Sequence, residues 1–188
     1  MGLFINFLMA YKMTDTIMRL PIWGAIVLYL VGAFVAAFLV QSHSFGTCTF
    51  GFLLLSVSLG IVLTYILNEY ELSTVYMALA GTAIIAGIMM IAGTAFSSFF
   101  ISIGRWLFFS LFAVIIVELI GIFFFRNVLA ITDYIVVAIF GLFIGYDWAR
   151  AQAYPKTVTN AVSCAADLYL DLVNILIRLL SILGDKKD

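Results

Sequence analysis

The sequence predicts an all-α integral membrane protein, a compact bundle of six transmembrane helices, or seven if the first 20 residues also span. Three observations predict it. Of 188 residues, 65% are hydrophobic and 10% charged, with a mean hydropathy of +1.22, whereas about a quarter of the residues in soluble domains are charged. Six apolar runs each reach the roughly 20 residues that a helix needs to cross hydrocarbon. Their connections are short, which makes sequential neighbours antiparallel hairpins. Lipid offers the backbone no hydrogen-bond partners, so each run reads as a helix.

The N-terminal segment 1–20 is a poor span. MGLFINFLMA gives only ten residues before Tyr11 and Lys12, and Asp15 and Arg19 follow. A cleavable signal would carry positive charge before its apolar core and a small-residue cleavage site after it, and neither is present. The segment reads as an interfacial amphipathic helix or a shortened first helix. Pro21 opens the first confident span, 22–41, and the others follow at 49–68, 73–95, 102–124, 130–153 and 160–183. Residues 21–184 form one transmembrane domain, and 185–188 a polar C-terminal tail.

Across six spans, Lys12, Arg19, Arg126, Arg178, Lys186 and Lys187 count to one face, and Arg105, Arg150 and Lys156 to the other. The excess predicts a cytoplasmic C-terminus, and the brevity of the chain suggests a bacterial cytoplasmic membrane. The basic residues form no patch, which argues against a nucleic-acid partner. Cys48 and Cys164 lie far apart without metal-ligand spacing and read as buried free thiols. The one histidine, His43, stands between Ser42 and Ser44 with no neighbouring acid, so catalysis is not expected and no cofactor is implied.

Acids inside spans carry the functional information, because charge in the bilayer is costly. Glu69 and Glu71 sit in a short loop, and Asp133, beside Thr132 at a span's start, reads as a cap. Glu118, within VIIVELIGIFFF, is either pore-lining or a structural hydrogen-bonding group, and should face the bundle interior. In the last span Asp167, Asp171, Asn174 and Arg178 follow at steps of four, three and four, one polar helical face. The bland reading of that stripe is glue between helices.

Asp147 supplies a partner for Asp171. The position midway between them is Thr159, inside RAQAYPKTVTN, where Pro155 and Asn160 favour a turn. A hairpin reversing there sets both carboxylates at one depth, where two acids in contact would share one proton. Such a pair is bridged with its proton and repels without it. A cation could replace the proton, and hard oxygen ligands suit Ca²⁺, so Asp147 and Asp171 are also the metal candidates. The glycines of FGLFIG, Gly141 and Gly145, are expected to let helices pack closely and the last helix approach the acid.

GYDWARAQ followed by ADLYLDLVNILIRLLSILG resembles the closing signature of the Bax inhibitor-1 family, the transmembrane Bax inhibitor motif proteins. The likeness rests on Tyr146, Asp147, Leu168, Tyr169, Leu170, Asp171, Asn174, Leu179, Leu180, Leu183 and Gly184. A weaker one covers about 46–124, including Gly93, Thr94 and the ISIGRWLFF run. The resemblance implies a bacterial member with a shortened first helix, six helices around a central last one, and a proton-sensitive calcium leak with its paired-aspartate sensor at Asp147 and Asp171. The chain departs from the family in having Gln41 and His43 near a usual basic position, SSFFISIG in place of a basic–acidic pair, and Arg178 seven residues after Asp171 rather than ten.

Three functions compete. The first is a pH-sensitive cation leak, with calcium as cargo. A proton-coupled transporter would show internal repeats and helices broken at mid-membrane, whereas Pro21 and Pro155 stand at span ends and no repeat is evident. A membrane regulatory protein that binds a protein partner and transports nothing is the third, and the sequence identifies no such partner.

Overall fold

The computed structural model describes residues 2–121 and 130–184. The expected span residues 122–124, Arg126, and the polar tail with Lys186 and Lys187 lie outside the described residues. Among the described residues all regular structure of any length is helical: α1 (Gly2–Lys12), α2 (Thr14–Ile17), α3 (Ile22–Val40), α4 (Phe45–Glu69), α5 (Leu72–Ala95), α6 (Ser97–Ile120), α7 (Ala130–Ala153) and α8 (Val158–Leu183). Helices α3 to α7 are each long and apolar enough to cross a membrane. The 26 residues of α8 are as long, but its polar stripe makes it less apolar.

Two helices begin earlier than the hydropathy suggested. α4 starts at Phe45 rather than 49, and α6 at Ser97 rather than 102. In both places hydroxyl residues interrupt the apolar run without interrupting the helix. Between α5 and α6 only Phe96 leaves helical geometry, at φ −124° and ψ 42°. α1 has 11 residues, about 16 Å at 1.5 Å per residue. It turns Leu3, Phe4, Phe7, Leu8 and Tyr11 outward and Asn6 and Met9 inward, so its apolar face suits lipid and its polar group is inside.

The chain divides into two units. Of the described residues, the first holds 2–71 and 155–169, the second 72–121, 130–154 and 170–184, so that α8 contributes to both. In the first unit α4 receives α1 and α3. Gly60 makes room for α1, since a Cβ there would stand 2.6 Å from Sδ of Met9 and 2.9 Å from Oδ1 of Asn6. Asn6 donates to the hydroxyl of Tyr169 at 2.7 Å, and the ring of Phe52 meets Tyr169 edge-on. Ser56, Ser58 and Thr64 return their hydroxyls to carbonyls one turn earlier, which satisfies them in an apolar setting. Cys48 and Cys164 are free and buried.

In the second unit α7 packs against α5 and α6. The backbones of α5 and α7 nearly touch, because a Cβ on Gly93 would lie 2.5 Å from the carbonyl oxygen of Gly145. Gly145 also accommodates the ring of Phe100, and Gly104 of α6 accommodates the ring of Tyr146. The close approach shown at Gly145 is to α5 and α6. Gly141 makes only ordinary contacts, 3.5 Å from Ile85.

Gly93→Ala should force α5 and α7 apart and cost about 1–3 kcal/mol as overpacking. Gly87→Ala is the control, since a Cβ there meets nothing within 4 Å. Thermal unfolding in detergent should show a loss for the first and none for the second.

Candidate functional site

The hairpin that sets the site turns earlier than counting suggested. α7 ends at Ala153 and α8 begins at Val158, so Thr159 lies in the first turn of α8 rather than in the connection. Pro155 cannot continue α7. Thr157 caps α8 by accepting the backbone N–H of Asn160 at 3.2 Å, and the Asn160 amide donates to the carbonyl of Pro155 at 2.9 Å. Equal spacing from the turn therefore no longer argues for equal depth of the two acids. Their common setting is the second unit, where Asp147 is 6% and Asp171 5% exposed.

Around Asp147 every neighbour on α7 is fixed. Tyr146 fills the space over Gly104. Trp148 donates its indole N–H to Oγ1 of Thr94 at 2.8 Å, and Gln152 donates to the same oxygen at 3.2 Å. Arg150 places Nη2 2.8 Å from Oδ1 of Asp147, while its guanidinium lies over the rings of Tyr146 and Tyr154, 5.3 and 5.7 Å from their centroids. Arg150, expected from the sequence to be a flanking charge, is an ion-pair partner of Asp147. An i,i+3 ion pair is a visible pattern, and the sequence shows it.

On α8 the polar stripe has several fates. Asp167, half-buried, falls in the first unit. Asn174 turns its amide to the carbonyl of Leu170 on its own helix, at 2.8 Å. Arg178 reaches two other helices of the second unit. Its Nη1 donates to Oδ1 of Asp133 at 2.8 Å and lies 2.8 Å from Oε1 of Glu118, and Nη2 donates to Oε2 of Glu118 at 3.0 Å. Ser181 donates to the other oxygen of Asp133 at 2.7 Å. Asp133 thus stands in the first turn of α7, as a capping acid would, and is also a partner of Arg178. Glu118 points inward, its side chain 17% exposed.

Among the described residues no group of three or more His, Cys, Asp or Glu is arranged to hold a metal ion.

Removing Arg178 should leave two partly buried carboxylates without their cation. Arg178→Met is expected to cost about 2–4 kcal/mol, below the full value for a buried pair because the arginine is part-exposed. Acid neutralises the stranded carboxylates, so the deficit should shrink as pH falls, and adding Glu118→Gln and Asp133→Asn should recover most of it. Unfolding of the variants in detergent across pH measures all three effects.

The family described as inhibitor of apoptosis-promoting Bax1 matches residues 1–188. An uncharacterized membrane protein of Streptococcus pyogenes serotype M1 is 26% identical over 194 residues, covering 96% of this chain and 84% of its own length. An uncharacterized protein of Helicobacter pylori strain J99 is 31% identical over 133 residues, covering 68% of this chain and 55% of its own. With a match over the full length, five helices apolar enough to cross a membrane and a relative named as a membrane protein, the chain is an integral membrane protein that belongs to the Bax inhibitor-1 family.

Proposed function

We propose that the protein is a pH-sensitive cation leak, with calcium as its cargo, gated by a proton shared between Asp147 and Asp171. The observation that carries this reading is the burial of both carboxylates in one unit, below 10% exposed. Two ionised carboxylates in one buried setting are costly. One proton between them halves the charge and supplies a hydrogen bond. When it leaves, the acids repel and the closed state loses a tether. The two oxygen-rich groups then become the place where a divalent cation is favoured.

The protein sits in a bacterial cytoplasmic membrane with its C-terminus in the cytoplasm. Arg150 and Arg178 are ion-paired inside the second unit and do not act as flanking charges. Setting them aside leaves Lys12, Arg19, Arg126, Lys186 and Lys187 on the C-terminal side against Arg105 and Lys156 on the other, the same excess as the raw count.

In liposomes loaded with a calcium indicator, flux through the purified protein should rise with pH as the shared proton is lost. A free-energy change of about 1.4 kcal/mol moves the closed-to-open ratio about tenfold. Asp171→Asn or Asp147→Asn should each remove most of the pH dependence, and the double variant should add little, since the two act as one unit. Single variants that keep the wild-type pH profile would show the acids to be structural and remove the gate.

A further inference from the structure

Asn6 is the one amide side chain of α1, and it is buried, 3% exposed, while Leu3, Phe4, Phe7, Leu8 and Tyr11 of the same helix are exposed. It donates to the hydroxyl of Tyr169 at 2.7 Å. Tyr169 stands two residues before Asp171 on one unbroken helix, α8. The carbonyl oxygen of the Asn6 amide lies against Gly60 and accepts no hydrogen bond among the described residues. A buried amide satisfied on one side only is a costly way to pack a helix, and a leucine would pack there without leaving an acceptor unpaired. Packing alone therefore does not account for Asn6, whereas its hydrogen bond to α8 does.

The contacts along α4 give α1 its direction. Gly2 faces Ser56 and the ring of Tyr169, and Asn6 and Met9 face Gly60. Farther on, Tyr65 donates its hydroxyl to the carbonyl of Ile17 at 2.8 Å, with the carbonyl of Leu20 also against it. α1 thus runs along the second half of α4 in the same direction, and the chain just beyond it is anchored by Tyr65. Between anchor and α1 the backbone bends at Met13, with φ −114° and ψ 6°. Thr14 there returns its hydroxyl to the carbonyl of Ala10, a back-bond that favours bending. An arm anchored at one end, bent near that end and joined to α8 by one neutral hydrogen bond can leave α8 while the rest of the unit stays folded.

We infer that α1 is a hinged latch on α8, with Asn6 as its catch on Tyr169, and that its release frees α8 and raises the leak. This rests on the reading of the protein as a cation leak that opens through movement of α8. Asn6 is a positioning residue, since its side chain bonds Tyr169 and it acts through the helix that carries Asp171. The latch adjusts how much of the protein is closed at a given pH, and the response to pH stays with Asp147 and Asp171.

The test uses the full-length protein in phosphatidylcholine vesicles loaded with a calcium indicator, with backbone amide exchange in α1 followed by mass spectrometry on the same samples. Asn6→Leu and Tyr169→Phe remove the hydrogen bond and keep an apolar side chain of similar size. Each should speed exchange in α1 and raise calcium flux at fixed pH by about three- to tenfold, the worth of one neutral hydrogen bond. The double variant should add little, because the two residues share that bond. Gly2→Cys with Ser56→Cys supplies a lock, since a Cβ on Gly2 would stand 2.9 Å from Oγ of Ser56. The reference chain has Cys48 and Cys164 replaced by alanine, so that only the new pair oxidises. Adding Asn6→Leu to the lock should give high flux when the pair is reduced and reference flux or lower when it is oxidised. A substitution that merely loosened the fold would leak in both states.

Variants that change neither exchange nor flux overturn the latch. Faster exchange with unchanged flux, or a raised flux that oxidation does not reverse, also overturns it and leaves the leak standing. Absence of calcium flux from wild type and every variant overturns the leak and the latch with it. Flux that follows the latch but keeps its pH profile in Asp171→Asn supports the latch and overturns the acid pair alone.

Discussion

The cost of ionised carboxylate in an apolar interior governs the second unit of this protein. Each acid there must find a cation, a donor or a proton, and α5 to α8 are placed so that it can. Glu118 and Asp133, on different helices, meet through Arg178 and are completed by Ser181. Asp147 meets Arg150 on its own helix. Both arrangements use guanidinium, which is planar, always charged and able to serve two oxygens at once. They differ in reach. The Arg178 cluster ties three helices together, whereas the Asp147–Arg150 contact lies within one turn of α7.

That difference suits two tasks. A cluster whose partners belong to separate helices is stable only while those helices keep their register, so its first effect is on architecture. A contact within one turn does not depend on helix register, and on the proposed reading Asp147 shares its proton with Asp171. Close packing supports this, because Gly93 lies against Gly145 and Gly104 against Tyr146. The helix that bears Asp147 therefore has little freedom to rotate, and an altered relation between the acids would come through movement of α8.

Much of the fold was legible from hydropathy alone, since lipid forces helical hydrogen bonding on any apolar run of sufficient length. Helix ends were less legible. Ser97 and Ser98 look like a loop to a hydropathy count, yet hydroxyls are tolerated in the first turn of a helix. The turn before α8 was misplaced because Asn160 and Thr157 favour both turns and helix caps, and only the structure shows the capping geometry. Glu118, Asp133 and Arg178 each stood out in the sequence, but their convergence depends on how α6, α7 and α8 pack, which spacing along the chain cannot give. Arg150 was missed for another reason. Its i,i+3 relation to Asp147 was present in the sequence, and assigning it to a membrane flank concealed it.

The central claim is that Asp147 and Asp171 hold one proton between them. Experimental structures of the protein in lipid nanodiscs, one below and one above the pH at which calcium flux changes, test it most directly. The expected result is a hydrogen-bonded pair of carboxyl groups, direct or through one water, in the acid structure, and separated carboxylates in the basic one. An acid structure with either aspartate facing lipid, or with the two carboxyl groups farther apart than the about 4–6 Å over which such charges couple strongly, would contradict the claim.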